Sequence, residues 1–240
     1  MLGILLTALV AASPPQRHDL AAIWLVYPWV GLGMIFAVLL YFTESSPGNL
    51  ATSLRYFGWG VLAVFGSFAL QSLVNGRLLE QFGEKTLLGI LVLGFGSAFC
   101  QTLGKWLGIR LLLISMKGAS FPMLIPMGLG VGLGFAVGEL VVLSLQMIVT
   151  GTHPTNLWGM VERGAAMWFH LSSCALLLFG IVKSCRWPVF LVLALHMAMD
   201  GFAPWLGSHA PLFLTEALFW FVALLTWAIA RAWALSRQAV

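Results

Sequence analysis

The fold class is decided by residues 121–149, which read FPMLIPMGLGVGLGFAVGELVVLSLQMIV. The only ionisable side chain in this stretch is Glu139, and the stretch exceeds the roughly 20 apolar residues that a helix needs to cross a bilayer. In hydrocarbon the backbone polar groups must be satisfied internally, so a spanning segment is either a helix or part of a closed barrel. A continuous apolar run favours the helix, because barrel strands alternate between apolar and polar residues.

The composition of the whole chain agrees with a membrane location. Of the 240 residues, 60% are hydrophobic and 8% are charged, and the mean hydropathy is +0.98. A soluble domain carries roughly 25% charged residues. The net charge of +4 comes from scattered Lys and Arg rather than from a basic cluster, so the lipid bilayer is an expected partner and nucleic acid is not. The three cysteines lack the spacing of metal ligands and are expected to be small core residues.

Comparable apolar runs elsewhere predict an all-α, polytopic transmembrane helical bundle of about seven spans, with eight as the alternative. The predicted spans are Leu20–Phe42, Ala51–Val74, Thr86–Gly104, Phe121–Val149, Leu157–Val182, Trp187–Ala203 and Pro211–Trp233. The third span is open to continuation as an oblique helix to Met116. Met1–Ala12 is too short to span and lacks a basic start, so a half-helix is expected there rather than a signal peptide. Without repeats or long linkers, residues 1–240 are expected to form a single integral membrane domain.

Basic residues in the connections predict the orientation. They follow the third and fifth spans and lie near the C-terminus: Lys105, Arg110, Lys117, Lys183, Arg186, Arg231 and Arg237. The connections at 150–156 and 204–210 contain no Lys or Arg. Because basic residues accumulate on the cytoplasmic side, the C-terminus is expected in the cytoplasm. The expected location is the bacterial inner (plasma) membrane, with several passes.

Ionisable residues inside the predicted spans are concentrated in the last four spans. A charge in hydrocarbon is costly, so each one is a candidate for function. The residues are Glu139, Glu162, Arg163, His170, His196, Asp200 and Glu216. A purely structural origin would scatter them, so the clustering predicts a functional core at 121–204. Their distances from the outer ends of the spans place Glu139, His170 and His196 in the outer half of the bilayer. Glu216 lies near the outer end of the last span and is expected to reach the interface.

Helical spacing suggests how these side chains meet. Gly130, Gly134 and Gly138 recur every four residues and predict a small-residue groove for a neighbouring helix or a substrate chain. His170 has no polar neighbour on its own helix, so its partner must come from another helix. Asp200 follows His196 at i, i+4 and is expected to accept a hydrogen bond from that ring.

Glu162 and Arg163 are adjacent in the chain and have two open interpretations. They can form a structural ion pair near the outer end of the fifth span. Alternatively they belong to the site, because Arg163 and His170 are seven residues apart and lie on nearly the same helical face.

A carboxylate and two histidines around a small wet cavity can activate water. In this scheme Glu139 removes a proton from water, while His170 and His196 bind the water or the developing oxyanion. Peptide hydrolysis fits this chemistry, with a membrane protein or a membrane-anchored peptide as the substrate. A transporter or proton relay, a bis-histidine haem protein and a non-catalytic scaffold remain alternatives.

The order of these elements resembles the YhfC-type glutamic intramembrane endopeptidases, in the broader group of type II CAAX proteases and PrsW-like proteases. The elements are Gly-Glu at 138–139, Glu-Arg at 162–163 with His170 seven residues after the Arg, and His-x-x-x-Asp at 196–200. The resemblance covers about residues 130–200 and implies an intramembrane hydrolase.

Carried over residue by residue, the resemblance implies that Glu139 is the catalytic glutamate and that His170 and His196 are ligands of water or the oxyanion. Asp200 is implied as the final polar partner, and 162–163 as the source of a second carboxyl and an arginine. The CAAX-type pattern is Glu-Glu-x-x-x-Arg, and this chain has Gly138 in place of the first Glu. That departure argues against a prenyl-protein substrate.

No cofactor is expected to be required. Zn²⁺ is the alternative, with Glu139, His170 and His196 as ligands, because three protein ligands and a water are usual at catalytic zinc. These residues come from three helices and lack the His-Glu-x-x-His spacing of zincins, so a metal-independent mechanism is preferred.

Overall fold

The computed structural model describes residues 50–82, 86–116, 124–150, 157–202, 205–206 and 209–235. In these ranges the chain is helical and contains no strand, which confirms the all-α prediction. The helices are α1 (Leu50–Phe82), α2 (Leu87–Ser115), α3 (Leu124–Thr150), α4 (Leu157–Val182), α5 (Trp187–Met197) and α6 (Leu212–Leu235). A single π-helical turn, Ala198–Phe202, extends α5.

Five of these helices are long and apolar enough to cross a membrane, as an integral membrane protein requires. Their qualifying segments are Ala51–Phe82, Leu87–Ser115, Ile125–Gln146, Glu162–Val182 and Phe213–Trp233. The helix Trp187–Phe202, made of α5 and its π-helical turn, is apolar but shorter. The predicted span Leu20–Phe42 and the predicted half-helix Met1–Ala12 lie outside the described residues.

The central helix of the bundle is α4. It packs against α3 and α6 on two sides, and also contacts α2 and α5. In its most apolar window 83% of the residues are buried in protein, against 22% for α1, which packs on α2 and α3. The outward side chains of α1 are large and apolar, for example Leu62 and Leu73, and suit contact with lipid.

Glycines on two faces of α3 allow its neighbours to approach closely. A Cβ at Gly134 would collide with the backbone of Phe57 on α1, and a Cβ at Gly132 would collide with the backbone of Leu171 on α4. Gly138 likewise lies against α1, at Val64. The face of Gly134 and Gly138 is therefore filled by α1, and the alternative of a groove open to a substrate chain is wrong there.

The length of α2 corrects the predicted end of the third span. The helix continues beyond Gly104 to Ser115, as the alternative of a longer helix allowed. Lys105 consequently lies inside α2 with its side chain fully buried, and it is not the loop charge that the orientation argument assumed. Arg110 is exposed on the same helix, one turn and a half further on.

Candidate functional site

A cavity of about 260 Å³, here called the polar cavity, lies between α2, α3, α4 and the end of α5. Six of the seven ionisable residues named in the predicted spans line it, all but Glu216, together with residues that come from α1, α2 and α6. The lining residues are Phe68, Gln71, Ser97, Gln101, Glu139, Leu143, Glu162, Arg163, Ala166, Phe169, His170, His196, Met199, Asp200 and Phe219. Side chains from beyond the predicted core at 121–204 thus complete the wall.

A short contact joins Glu139 and His170 inside this cavity. Glu139 Oε2 lies 2.6 Å from His170 Nε2, and Glu139 Oε1 accepts a hydrogen bond from Gln101 Nε2 at 3.2 Å. The first distance is short even for a charge-assisted hydrogen bond. Glu139 is 9% exposed and His170 is 3% exposed. This contact confirms that the partner of His170 comes from another helix.

The meeting of Glu139 and His170 follows from helix geometry. Gly132 brings α3 against α4 at the level of His170, and Glu139 lies seven residues later on nearly the same face of α3. Side chains tilt toward the N-terminus of their own helix. Because α3 and α4 run in opposite directions, the two side chains point toward each other along the contact and meet between their backbone positions.

His196 and Asp200 share the cavity, but they do not form the predicted hydrogen bond. His196 Nε2 is 3.5 Å from Asp200 Oδ2, which is longer than an ordinary N–H···O hydrogen bond. Each side chain is instead held by α2: Ser97 Oγ donates to Asp200 Oδ2 at 2.8 Å, and Thr102 Oγ1 lies 3.3 Å from His196 Nδ1. Neighbours on α2, rather than the i, i+4 pair alone, orient both groups.

The π-helical turn brings Asp200 close to α2. Gly94 of α2 packs against Gly201 and the carbonyl of Asp200, and a Cβ at position 94 would collide with these backbone atoms. Irregular turns of this kind are common at functional sites. Here the turn holds the carboxyl of Asp200 at the wall of the cavity, within reach of Ser97.

Lys105 is a fully buried cation next to the cavity. Its Nζ lies 3.3 Å from Ser173 Oγ and sits over the rings of Phe135 and Phe169, at 4.9 and 5.0 Å from their centroids. No carboxylate lies within ion-pair distance of it among the described residues. Cation–π contacts and one hydroxyl therefore take the place of a direct counter-ion.

The two aromatic rings connect Lys105 to the histidines. Phe135 is 5.0 Å from the His170 ring, and Phe169 is 5.0 Å from the His196 ring, measured between centroids. The two imidazoles are 5.8 Å apart in an edge-to-face arrangement. A layer of phenyl rings thus separates one buried positive charge from the Glu139–His170 pair.

Two further acidic residues differ in their relation to the cavity. Glu162 forms an ion pair with Arg163 at the cavity wall, and both side chains are partly exposed. They satisfy both interpretations, since they are paired with each other and also line the site. Glu216, contrary to expectation, is enclosed by protein with 4% exposure and does not line the cavity.

Sequence reasoning missed the residues that α1 and α2 supply. Gln71, Ser97, Gln101 and Thr102 are uncharged, so a search for ionisable residues in spans does not find them. Gln101 and Thr102 are nevertheless adjacent polar residues in the middle of an apolar helix, and that signal was available. Lys105 was missed because the predicted span ended one residue before it.

The fit of a metal ion can be judged from the same geometry. The described part of the chain contains no group of three or more His, Cys, Asp or Glu side chains arranged to hold a metal ion. His170 Nε2 is directed at Glu139, and the His196 ring lies apart from that pair. In this arrangement Glu139, His170 and His196 do not fit a preformed zinc site.

Comparisons with protein-family models, with curated proteins and with solved structures find no match to this chain.

Proposed function

We propose that this protein is a glutamic intramembrane endopeptidase that resembles the YhfC type. The proposal is carried by the 2.6 Å contact between Glu139 Oε2 and His170 Nε2, placed in a polar cavity inside an apolar helical bundle. Burying ionisable groups at membrane depth is expensive, and such groups mark functional sites. The substrate is a peptide bond of a membrane protein or a membrane-anchored peptide.

Water activation uses the carboxylate of Glu139. Gln101 and His170 each occupy one lone pair on its two oxygens, so further lone pairs remain to accept a proton from water. As Glu139 takes this proton, the water oxygen attacks the scissile carbonyl carbon and a tetrahedral oxyanion forms. General-base assistance of this kind contributes about 10²–10⁴-fold to the rate.

The oxyanion is stabilised by His196 in this scheme. In the tautomer that accepts a hydrogen bond from Thr102 at Nδ1, the proton resides on Nε2, which lies at the Asp200 side of the cavity. That N–H can donate to the oxyanion. When the intermediate collapses, the C–N bond breaks and Glu139 passes its proton to the leaving nitrogen. One water is consumed, and an acid and an amine are released.

The charge distribution supports an orientation for this site. Arg110, Lys183 and Arg186 gather at one end of the bundle, and basic residues favour the cytoplasmic side. The polar cavity lies toward the other end, since Ser97 precedes Arg110 by about 20 Å along α2. Cleavage is therefore proposed in the outer half of a bacterial inner membrane, with the C-terminus in the cytoplasm. Reporter fusions that place residues 150–156 in the cytoplasm would contradict this orientation.

The proposal is tested by the peptide termini that the protein generates in membranes. We expect membranes with the wild type to contain peptide termini that are absent from membranes without the protein. These termini should disappear with Glu139→Gln, because the amide cannot accept a proton from water. Glu216→Gln is the matched control, since Glu216 is a buried glutamate outside the cavity and its variant should keep the termini. A chelator should leave cleavage unchanged if no metal is required.

Other outcomes distinguish the alternatives. If folded wild type and Glu139→Gln give the same termini, the protease proposal fails. Loss of cleavage on chelation would replace the glutamate mechanism with a zinc mechanism. A proton relay is the second candidate, because Glu139 and His170 are in contact and Lys105 contacts Ser173 one turn further along α4. It predicts Glu139-dependent acidification of proteoliposomes without any cleavage.

A further inference from the structure

A second cavity, here called the basic pocket, lies at the opposite end of the bundle from the polar cavity. Its volume is about 480 Å³, and it is bounded by the later part of α2, the end of α4 and the start of α5. Its walls include two arginines from different helices, Arg110 and Arg186, and two large aromatic side chains, Trp106 and Phe190. Among the described residues, no acidic side chain lines it.

The two arginines are available to bind a ligand. Both are exposed, and neither forms an ion pair with the described residues. The guanidinium of Arg110 lies over the Trp106 ring, 4.8 Å from its centroid, which restricts the side chain without neutralising its charge. Two uncompensated guanidinium groups at one pocket give a local positive potential that selects an anion.

The turn between α4 and α5 gives the pocket a defined wall. The Cys185 amide donates to the Gly180 carbonyl at 2.8 Å, and Ser184 adopts a left-handed backbone conformation with φ of 53°. This closed turn places Arg186 immediately before the first residue of α5. One arginine is thus positioned by a capped helix end and the other by an aromatic ring, so the site exists before a ligand binds.

We infer that the basic pocket binds the phosphate headgroup of an anionic membrane lipid. Guanidinium groups match phosphate oxygens in geometry and charge, and basic pockets between transmembrane helices on the cytoplasmic side bind such headgroups. The apolar side chains beside the arginines complete the match to an acyl chain. Phe190 is 68% exposed and Trp187 is 40% exposed, which suits contact with lipid.

The lipid site is independent of the proposed protease activity. The basic pocket and the polar cavity have no lining residue in common among the described residues, and their nearest lining residues on α2, Trp106 and Gln101, are about 7.5 Å apart along the helix. Failure of the cleavage experiment would therefore leave the lipid inference standing, and failure of lipid binding would leave the cleavage proposal standing.

The test is competition between lipids for the purified full chain. The detergent-solubilised protein is mixed with equal amounts of phosphatidylglycerol and phosphatidylcholine of the same acyl chains, and retained lipids are counted by native mass spectrometry. We expect the wild type to prefer phosphatidylglycerol. Each arginine near an anionic surface contributes about fivefold in affinity, so Arg110→Gln/Arg186→Gln should reduce this preference by about 25-fold.

Controls separate a built site from general attraction of charge. Arg55→Gln removes an exposed arginine that does not line the pocket and should leave the preference unchanged. Thermal unfolding of each variant shows whether it is folded. The inference would be overturned if the double variant kept the wild-type preference for phosphatidylglycerol. It would also be overturned if Arg55→Gln lost as much of that preference as the double variant.

A final arm distinguishes a lipid from a soluble phosphate compound. Glycerol 3-phosphate is titrated against the wild type in phosphatidylcholine nanodiscs, up to millimolar concentration. We expect no saturable binding, because the apolar walls then contribute nothing. Saturable binding that the double variant loses would assign the pocket to a soluble ligand and overturn the lipid assignment.

Discussion

The polar cavity and the basic pocket differ in whether their ionisable side chains have partners within the protein. In the polar cavity the groups contact one another: Glu139 with His170, and Glu162 with Arg163. In the basic pocket Arg110 and Arg186 have no acidic partner among the described residues. The paired groups of the polar cavity are therefore arranged for chemistry inside the bundle, whereas the two exposed arginines are open to an external ligand.

The largest expected effect comes from breaking the central pair of the polar cavity. His170→Gln keeps a hydrogen-bonding side chain but removes the imidazole that contacts Glu139, and we expect cleavage to fall by about 100-fold. The measurement is the rate at which a substrate identified from the new termini is cut in proteoliposomes.

The basic pocket provides the comparison for that experiment. Arg186→Gln, assayed in the same proteoliposomes, should change the cleavage rate by less than about twofold, because its pocket shares no residue with the polar cavity. A large loss of cleavage rate in Arg186→Gln would show that the basic pocket and the polar cavity are functionally coupled.

The second effect concerns the close packing of α1 on α3 at Gly60. A Cβ at Gly60 would collide with the backbone of α3 at Val131 and Gly134, so Gly60→Ala should destabilise the protein by about 1–3 kcal/mol. Gly58→Ala, two residues earlier, meets no atom of the described residues within 4 Å and should be neutral or stabilising. The unfolding midpoints of the two variants are compared. Equal midpoints would contradict the close packing of α1 on α3 at Gly60.

The smallest of these effects separates charge from stability at Lys105. Lys105→Met keeps most of the volume and removes a buried charge, so stability should be unchanged or higher. We expect cleavage to fall by about tenfold, because the positive charge that lies behind Phe135 and Phe169, next to the polar cavity, is lost. The readouts are the unfolding midpoint and the cleavage rate. If stability and activity both fall together, Lys105 has only a structural role.

Much of the polar cavity could be predicted because charge is rare in membrane spans. Glu139, His170 and His196 stood out for that reason, and helical spacing placed His196 near Asp200. Their partners were missed because Ser97, Gln101 and Thr102 carry no charge. The adjacent Gln101 and Thr102 mark a polar position in α2, but which side chains they contact depends on how α2 packs.

Helix boundaries and helix contacts were also difficult to predict from the sequence. Ending a span at Gly104 made Lys105 a loop residue, although apolar residues continue beyond it to Ser115. The spacing of Gly134 and Gly138 predicted a close approach, but it could not say whether a helix of the same chain or another molecule makes that approach. In the structure, α1 makes it.

The burial of Glu139 has a consequence for what the proposed protease can cut. Glu139 is only 9% exposed at the wall of the polar cavity, and the carbonyl groups of an intact substrate helix are engaged in hydrogen bonds within that helix. A membrane segment therefore has to unwind before its peptide bond can meet Glu139. Substrates should then be ranked by how readily their own helix opens, with glycine or proline near the cleaved bond acting as a selectivity element.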